Sequence, residues 1–191
     1  MACPHCGFTL ADADARFGTG EVALGRLADT AGVFRRGERK RVAAAIDRFG
    51  RRFPQLFVAV YTGTGGGSLH LREFGFWLLN HAVFEDVPKG RPNAAAVMIV
   101  LDPSAKAASI SFGYLLDPFL SQDDTFECLS RAHSWWLERR YCEGVLRVIT
   151  HLETVLRRRS RQARRSPMRF AKKFLPPAEG HAEPPCEEVP R

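Results

Sequence analysis

Two cysteines near the start of the chain have the spacing of half a zinc ribbon. Cys3 and Cys6 flank a Pro-His pair and are followed by a glycine. Two thiolates on a tight turn suit tetrahedral Zn²⁺, but a structural zinc site takes four ligands, and no second Cys-x-x-C pair follows. Three interpretations stay open. The pair is vestigial, it shares Zn²⁺ across a dimer or with histidines elsewhere, or it is a redox pair, although no strand precedes it.

A basic run near the C-terminus has the composition of a segment that binds an anionic partner. Residues 157–173 hold nine Lys and Arg and no acid, which leaves 19 basic against 21 acidic residues in the rest of the chain. The net charge of +7 is therefore local, and the folded domain itself is not predicted to bind nucleic acid. The candidate anion-binding residues are Arg157, Arg158, Arg159, Arg161, Arg164, Arg165, Arg169, Lys172 and Lys173.

On a helix that continues from Leu156, this run can meet an anionic surface, and Phe170, Phe174 and Leu175 add apolar contact. Each Lys or Arg near an anionic bilayer contributes about 1 kcal/mol of attraction. We expect an anionic membrane surface or a protein as the partner, with nucleic acid less favoured. The alternative is a solubilising tail without a partner.

Length and composition indicate one folded domain with terminal extensions. The chain has 191 residues, 45% of them hydrophobic, which suffices to bury one core. We expect no transmembrane segment, because no window reaches the roughly 18 apolar residues that a span requires. The N-terminus lacks the basic and apolar regions of a secretory leader. The five cysteines are few and odd in number. We therefore expect a cytoplasmic protein, or one peripheral to a membrane, with Cys128 and Cys142 as buried thiols.

The first half of the chain alternates helical and strand patterns. Apolar residues recur at helical spacing over residues 38–53 and predict a helix that Pro54 ends. The β-branched and aromatic segment 55–62 predicts a central strand, since it is apolar on both faces. A glycine-rich loop at residues 63–67 then leads to a second predicted helix at about residues 69–83. This loop suits phosphate binding at a helix N-terminus, but it lacks a P-loop lysine, so a plain connector is the favoured interpretation.

The second half continues the alternation. Residues 97–101 form a fully apolar strand, residues 102–106 a hairpin connection, and residues 108–112 a strand of alternating polarity. Two further helices are predicted over residues 124–137 and 140–156 from their apolar periodicity.

These elements predict an α/β fold, a three-layer sandwich. Its sheet is mixed and mostly parallel, has about four strands and is flanked by helices, with flexible N- and C-terminal extensions. The predicted units are a Cys-pair leader at 1–20, the α/β domain at 21–157, and a tail at 158–191. The tail is basic and then rich in proline, and we expect it to be disordered because it cannot bury enough apolar surface.

Over residues 29–156 the order of these segments resembles the TPM domain family. That family is named for a thylakoid phosphatase, a photosystem repair protein and a receptor-associated protein. The residues that carry the resemblance are Asp29-Thr30-Ala31-Gly32-Val33, Glu38-Arg39, the strand at 57–61, Phe74, Trp77, Asn93, Gly113-Tyr114-Leu115-Leu116-Asp117 and Tyr141. The resemblance implies a sheet flanked by helices. Some members are associated with acid phosphatase activity, others with divalent cations, and many are membrane-tethered assembly factors.

The sequence keeps Asp29 and Asn93 of the family's site, and together with the nearby acid Asp86 they are candidate ligands of Ca²⁺ or Mg²⁺. Such widely spaced oxygens converge only through the fold. The alternative is structural, with Asp29 capping a turn and Asp86 in solvent. The sequence also departs from the family pattern, because Pro92 and Ala94 replace an acid and a glycine around the asparagine. The lost acid removes a hard oxygen ligand, and Ca²⁺ takes six or more.

Three functions follow as hypotheses. The first is a non-catalytic TPM-like binding or assembly module that docks on an anionic membrane surface or another anionic partner through its basic tail. The second is a divalent-metal-dependent hydrolase similar to an acid phosphatase. The third is a zinc-knuckle interaction module. No cysteine or serine in a strand-to-helix elbow accompanies the histidines, so no nucleophilic triad is predicted.

Overall fold

The computed structural model describes residues 8–64, 70–87 and 91–168. The helices are α1 (Leu10–Phe17), α2 (Arg36–Arg52), α3 (Leu71–His81), α4 (Gln122–Leu137) and α5 (Tyr141–Arg165). The strands are β1 (Val22–Leu24), β2 (Leu27–Asp29), β3 (Phe57–Thr62), β4 (Ala82–Phe84), β5 (Ala96–Asp102) and β6 (Ala107–Phe112). Short 3-10 turns at Asn93–Ala95 and Tyr114–Leu116 flank the β5–β6 hairpin.

Four strands form the main sheet in the order β2-β3-β5-β6. Strands β2, β3 and β5 run parallel, with Phe57 opposite Ala96, and β6 runs antiparallel to β5. Strands β1 and β4 form a separate two-stranded parallel sheet. The prediction of a mixed, mostly parallel sheet of about four strands is therefore confirmed.

Helices cover the main sheet on both faces. Val58 and Ile99 point into a large core with α2, α4 and α5, whereas Ala59 and Met98 point into a small core with α1 and α3. Successive residues of a strand face opposite sides. Residues 57–60 of β3 and 96–101 of β5 are therefore apolar, because both faces of these strands are covered. The three-layer sandwich is thus as predicted.

One buried carboxylate, that of Asp102, stabilises the turn of the β5–β6 hairpin. Oδ1 of Asp102 accepts hydrogen bonds from the backbone N–H groups of Ser104 and Ala105 at 2.9 and 3.1 Å, and from the Ser104 hydroxyl. Lys106 then adopts a φ of 50°. This is the Asx-type turn that the Asp-Pro-Ser segment predicts.

Helix α1 belongs to the folded domain rather than to a separate leader. Ala13 is fully buried in the small core, and the Phe17 ring packs 5.7 Å from the ring of Trp77. The indole Nε1 of Trp77 donates to the carbonyl oxygen of Gly18 at 2.7 Å, and Asp14 pairs with His81. Helix α1, which lies within the predicted leader at residues 1–20, therefore packs on the same core as α3.

Helix α5 also passes the predicted boundary, at residue 157. It pairs with α4 along its first half, where the absent side chain of Gly144 makes room for the indole of Trp136. Beyond Leu156 the helix continues without apolar burial through Arg165. We call residues 157–165 the basic arm. Of the nine predicted anion-binding residues, six therefore lie on a regular helix.

Candidate anion-binding site

Several predicted site residues lie outside the described part of the chain. These are Cys3, Cys6, Arg169, Lys172 and Lys173. The zinc hypothesis at the N-terminal cysteine pair therefore stays a prediction.

The carboxylate of Asp29 is enclosed and fully hydrogen-bonded. Its side chain is 0% exposed. Oδ1 accepts from the Val33 backbone N–H at 3.0 Å and from the Thr62 hydroxyl at 2.6 Å. Oδ2 accepts from the Phe34 backbone N–H at 3.2 Å and from Nη2 of Arg39 at 2.9 Å. Four donors match the four lone-pair positions of a carboxylate, so Asp29 holds the turn between β2 and α2.

Asp86 and Asn93 lie near the N-terminal ends of the parallel strands, whereas Asp29 lies at their C-terminal ends. Asp86 accepts from the backbone N–H of Arg26 at 2.8 Å, and Arg26 directly precedes β2 whereas Asp29 ends it. Three residues of strand span about 10 Å. Asn93 precedes β5 at the same edge as Asp86, and its Nδ2 donates to the Ala82 carbonyl oxygen at 2.7 Å. The three candidate ligands do not converge, so a shared Ca²⁺ or Mg²⁺ site at these residues does not fit the fold.

One other group of potential metal ligands meets where α2 and α5 begin. The Sγ of Cys142 and carboxylate oxygens of Glu38 and Glu143 lie within 4.8 Å of one another. Glu38 already accepts from the backbone N–H of Arg35 at 2.8 Å, and Glu143 accepts from Arg41 at 3.2 Å. Burial raises the pKa of the Cys142 thiol, which opposes the thiolate that a metal requires. The carboxylates of the cluster already have protein partners that join the beginnings of the two helices.

The buried thiols give a prediction about reactivity. Cys128 is fully buried in the large core, and desolvation raises its pKa to about 12. At about pH 8.5, where a free thiol is half ionised, neither Cys128 nor Cys142 should react with iodoacetamide in the folded chain. Both should be alkylated in guanidinium chloride, as peptide mass spectrometry would report. Rapid native labelling of Cys128 would contradict its place in the core.

The basic arm presents its arginines as a stripe along one side of a helix. Arg157, Arg161 and Arg165 follow at intervals of four residues, which places them one above another. Together with Arg158 they line a surface groove of ≈ 440 Å³, whose remaining walls are the polar side chains of Thr154, Gln162 and Ser166. Guanidinium groups in such a row match phosphate or carboxylate oxygens.

One buried acid ties the base of the basic arm to α4. Asp124 accepts from the backbone N–H and hydroxyl of Ser121, at 3.0 and 2.9 Å, in a capping box. Nη2 of Arg159 lies 3.4 Å from Oδ2 of Asp124, and Nη2 of Arg158 lies 3.9 Å from its Oδ1. Among the described residues, no acid other than Asp124 forms a salt bridge with Arg157, Arg158, Arg161, Arg164 or Arg165. The arm therefore keeps a large surplus of positive charge.

The position of the basic arm follows from the packing of α2 on α5. The two helices run in the same direction, since Arg41 pairs with Glu143 and Arg52, the last residue of α2, lies 4.0 Å from Glu153. Residues 157–165 therefore extend past the end of α2. Because β3 begins soon after α2 ends, the arm lies near the N-terminal ends of the parallel strands.

Two exposed apolar side chains lie at the same end of the sheet as the basic arm. Tyr114 and Leu115 are 59% and 47% exposed. They follow the end of β6, which pairs through Phe112 with the start of β5 at Val97. Sequence reasoning missed this pair as a surface feature, because only the fold shows that both side chains face solvent. The capping box that brings Asp124 to the arm did have a signal, the Ser-x-x-Asp spacing before an apolar helix.

No protein family and no curated protein matches this chain. Its fold is similar to the solution NMR structure of the N-terminal domain of the cg2496 protein from Corynebacterium glutamicum, with 12% identity and a TM-score of 0.53 over 71% of this chain and 82% of that one. The N-terminal domain of a protein from P. gingivalis has 16% identity and a TM-score of 0.55, over 78% and 91% of the two chains. These likenesses show the α/β fold. In the described residues, every helix is too short or too polar to cross a bilayer.

Proposed function

We propose that this chain is a non-catalytic, TPM-like binding module that docks on an anionic membrane surface through its basic arm. The observation that carries the proposal is the stripe of Arg157, Arg161 and Arg165 on a helix that extends beyond the core, with no salt bridge to an acid among the described residues. A bilayer with anionic lipids attracts each such residue by about 1 kcal/mol, so several act together.

A membrane is favoured over other anions by the apolar side chains near the stripe. Tyr114 and Leu115 are exposed at the same edge of the sheet, and Met168 is exposed just beyond the arm. Tyrosine and long apolar side chains enter the headgroup region while the arginines stay at the phosphates. A nucleic-acid duplex offers phosphates without an apolar layer, so it would use the arginines alone.

The hydrolase hypothesis receives less support from the geometry. A metal-assisted phosphatase needs oxygen ligands around one cation in an open site. Asp29 is enclosed with four donors, and Asp86 and Asn93 lie at the other edge of the sheet. A module that binds without catalysis requires none of these groups to be free.

The proposal is tested by sedimentation of the full chain with vesicles. We expect binding to vesicles of phosphatidylglycerol and phosphatidylcholine that weakens as salt screens the charges, and little binding to phosphatidylcholine alone. A duplex DNA of matched phosphate concentration serves as the competitor. Equal binding to neutral vesicles, no binding at low salt, or complete displacement by the duplex would each count against a membrane surface as the partner.

A further inference from the structure

Strand β6 forms one end of the main sheet, and its outer edge has no strand partner in residues 8–64, 70–87 and 91–168. The N–H of Gly113 donates to the Ala96 carbonyl oxygen at 2.9 Å, which sets the alternation of the ladder. In an antiparallel pair every second residue bonds to its neighbour. Ser109 therefore faces β5, whereas the N–H and C=O groups of Ala108 and Ile110 point outward.

These outward groups lie in a slot between two helices. The slot has a volume of ≈ 430 Å³ and is bounded by the start of α3 on one side and by the first turns of α4 on the other. Ile110 at its floor is only 7% exposed, so its backbone groups lie in a recess rather than on an open surface. Buried backbone groups without partners are costly, and an added strand would satisfy them.

The two walls of the slot differ in chemistry. His70 and Arg72 line the α3 wall, whereas Phe126 and Leu129 line the α4 wall. Phe126 is 72% exposed, a large apolar ring in water. An extended peptide sends alternate side chains to opposite sides, so an occupant would place acids against the first wall and apolar residues against the second.

Arg72 already donates a hydrogen bond to an uncharged side chain at the position where such an acid would bind. Its Nη2 donates to the neutral side-chain oxygen of Gln122 at 2.9 Å, in an exposed hydrogen bond that spans the slot from α3 to α4. A carboxylate can accept two N–H groups of one guanidinium at once and adds the attraction of opposite charges, neither of which a single amide oxygen provides. A carboxylate from a partner can therefore replace Gln122 and open the slot.

The sequence of β6 itself contains no charged residue and no proline, and its pairing with β5 runs without a bulge. Natural edge strands are blocked by charged residues, proline or bulges, but residues 107–112 read Ala-Ala-Ser-Ile-Ser-Phe. The same composition disfavours a second copy of β6 as the occupant, because it brings no acid to Arg72.

We propose that this slot binds an extended segment of a partner protein in which acidic and apolar residues alternate, and that the segment adds a strand to β6. The main-chain bonds to Ala108 and Ile110 give affinity, and the two walls select the sequence. The inference is independent of the basic arm and of membrane docking.

The probe for the test is a blocked hexapeptide of alternating valine and glutamate, titrated into the ¹⁵N-labelled full chain. We expect shifts and slowed hydrogen exchange at the amides of Ala108 and Ile110. A peptide of alternating valine and lysine is the matched control and should bind at least about tenfold more weakly, since it meets Arg72 with like charge. Unchanged amides at both positions, or equal binding of the two peptides, would overturn the proposal.

Mutating one exposed residue on each wall tests the contribution of that wall to binding while leaving the fold intact. Arg72→Glu should reverse the preference, so that the lysine peptide binds and the glutamate peptide is lost. Phe126→Ala should weaken both peptides by about tenfold, the loss expected for an apolar contact of this size. Retained preference in Arg72→Glu would contradict the acid-binding wall. Concentration-dependent dimerisation that protects the same amides without peptide would show that a second copy occupies the edge instead.

Discussion

Replacing Asp29 with alanine should lower the free energy of unfolding by about 4 kcal/mol, the largest stability effect that we expect of a single polar residue here. The change removes the acceptor of two backbone N–H groups, at Val33 and Phe34, and of the Thr62 hydroxyl. It also leaves the guanidinium of Arg39 without its buried partner. Denaturant unfolding, with the m-value checked for constancy, gives the measurement.

Asp86→Ala is the matched control for this change. Asp86 is half-exposed and pairs with Arg26 at the surface, so its loss should cost about 1 kcal/mol or less. The same samples distinguish a structural carboxylate from a metal ligand. The unfolding midpoint of the wild type should not move when Ca²⁺ or Mg²⁺ is added. A midpoint that rises with either cation, and that no longer rises in Asp29→Ala, would restore the cation site.

Reversing the charge at Arg157, Arg161 and Arg165 should reduce the affinity for anionic vesicles by about a hundredfold or more. Each arginine loses about 1 kcal/mol of attraction, and each new glutamate adds repulsion. These side chains lie on a helical stripe outside both cores, so the unfolding midpoint should stay close to that of the wild type.

A second triple variant isolates position from net charge. Arg36, Lys40 and Lys106 are exposed near the opposite edge of the sheet, where α2 begins and the β5–β6 hairpin turns. Changing all three to glutamate alters the net charge by the same amount but should leave most of the vesicle binding intact. Equal losses in the two triple variants would mean that vesicles respond to overall charge rather than to the arm.

The long helices and strands were predictable because the spacing of their apolar residues shows which of their faces are buried. Helix α2 has an apolar stripe at helical spacing, and β3 and β5 are apolar on both faces because helices cover both. Strands β1, β2 and β4 were not predicted, and the first two residues of β4 were assigned to the helix predicted at about residues 69–83. Each of the three strands has three residues, too few for an alternation to show. The strands that pair, β1 with β4 and β2 with β3, lie far apart along the chain.

In the candidate site, too, local features could be predicted from the sequence, whereas contacts between distant residues could not. The charge of the basic arm was evident from composition, and its helical spacing followed once α5 was extended through Arg165. The sequence left two roles open for Asp29, a metal ligand and a turn cap. The choice between them depends on contacts such as that with Thr62, which only strand pairing brings to Asp29. The tie between Asp124 and Arg159 joins two helices across 35 positions of sequence. Tertiary partners, rather than residue types, decide which acids and bases are free.

The claim that the basic arm faces a membrane is tested most directly by paramagnetic relaxation in the full ¹⁵N-labelled chain, bound to anionic nanodiscs that contain a gadolinium-chelating lipid. We expect the strongest line broadening along residues 157–165 and at Tyr114 and Leu115. Gly32 and Ser104, near the opposite edge of the sheet, should broaden least. Broadening that is strongest at that opposite edge, or uniform over the domain, would contradict docking through the arm.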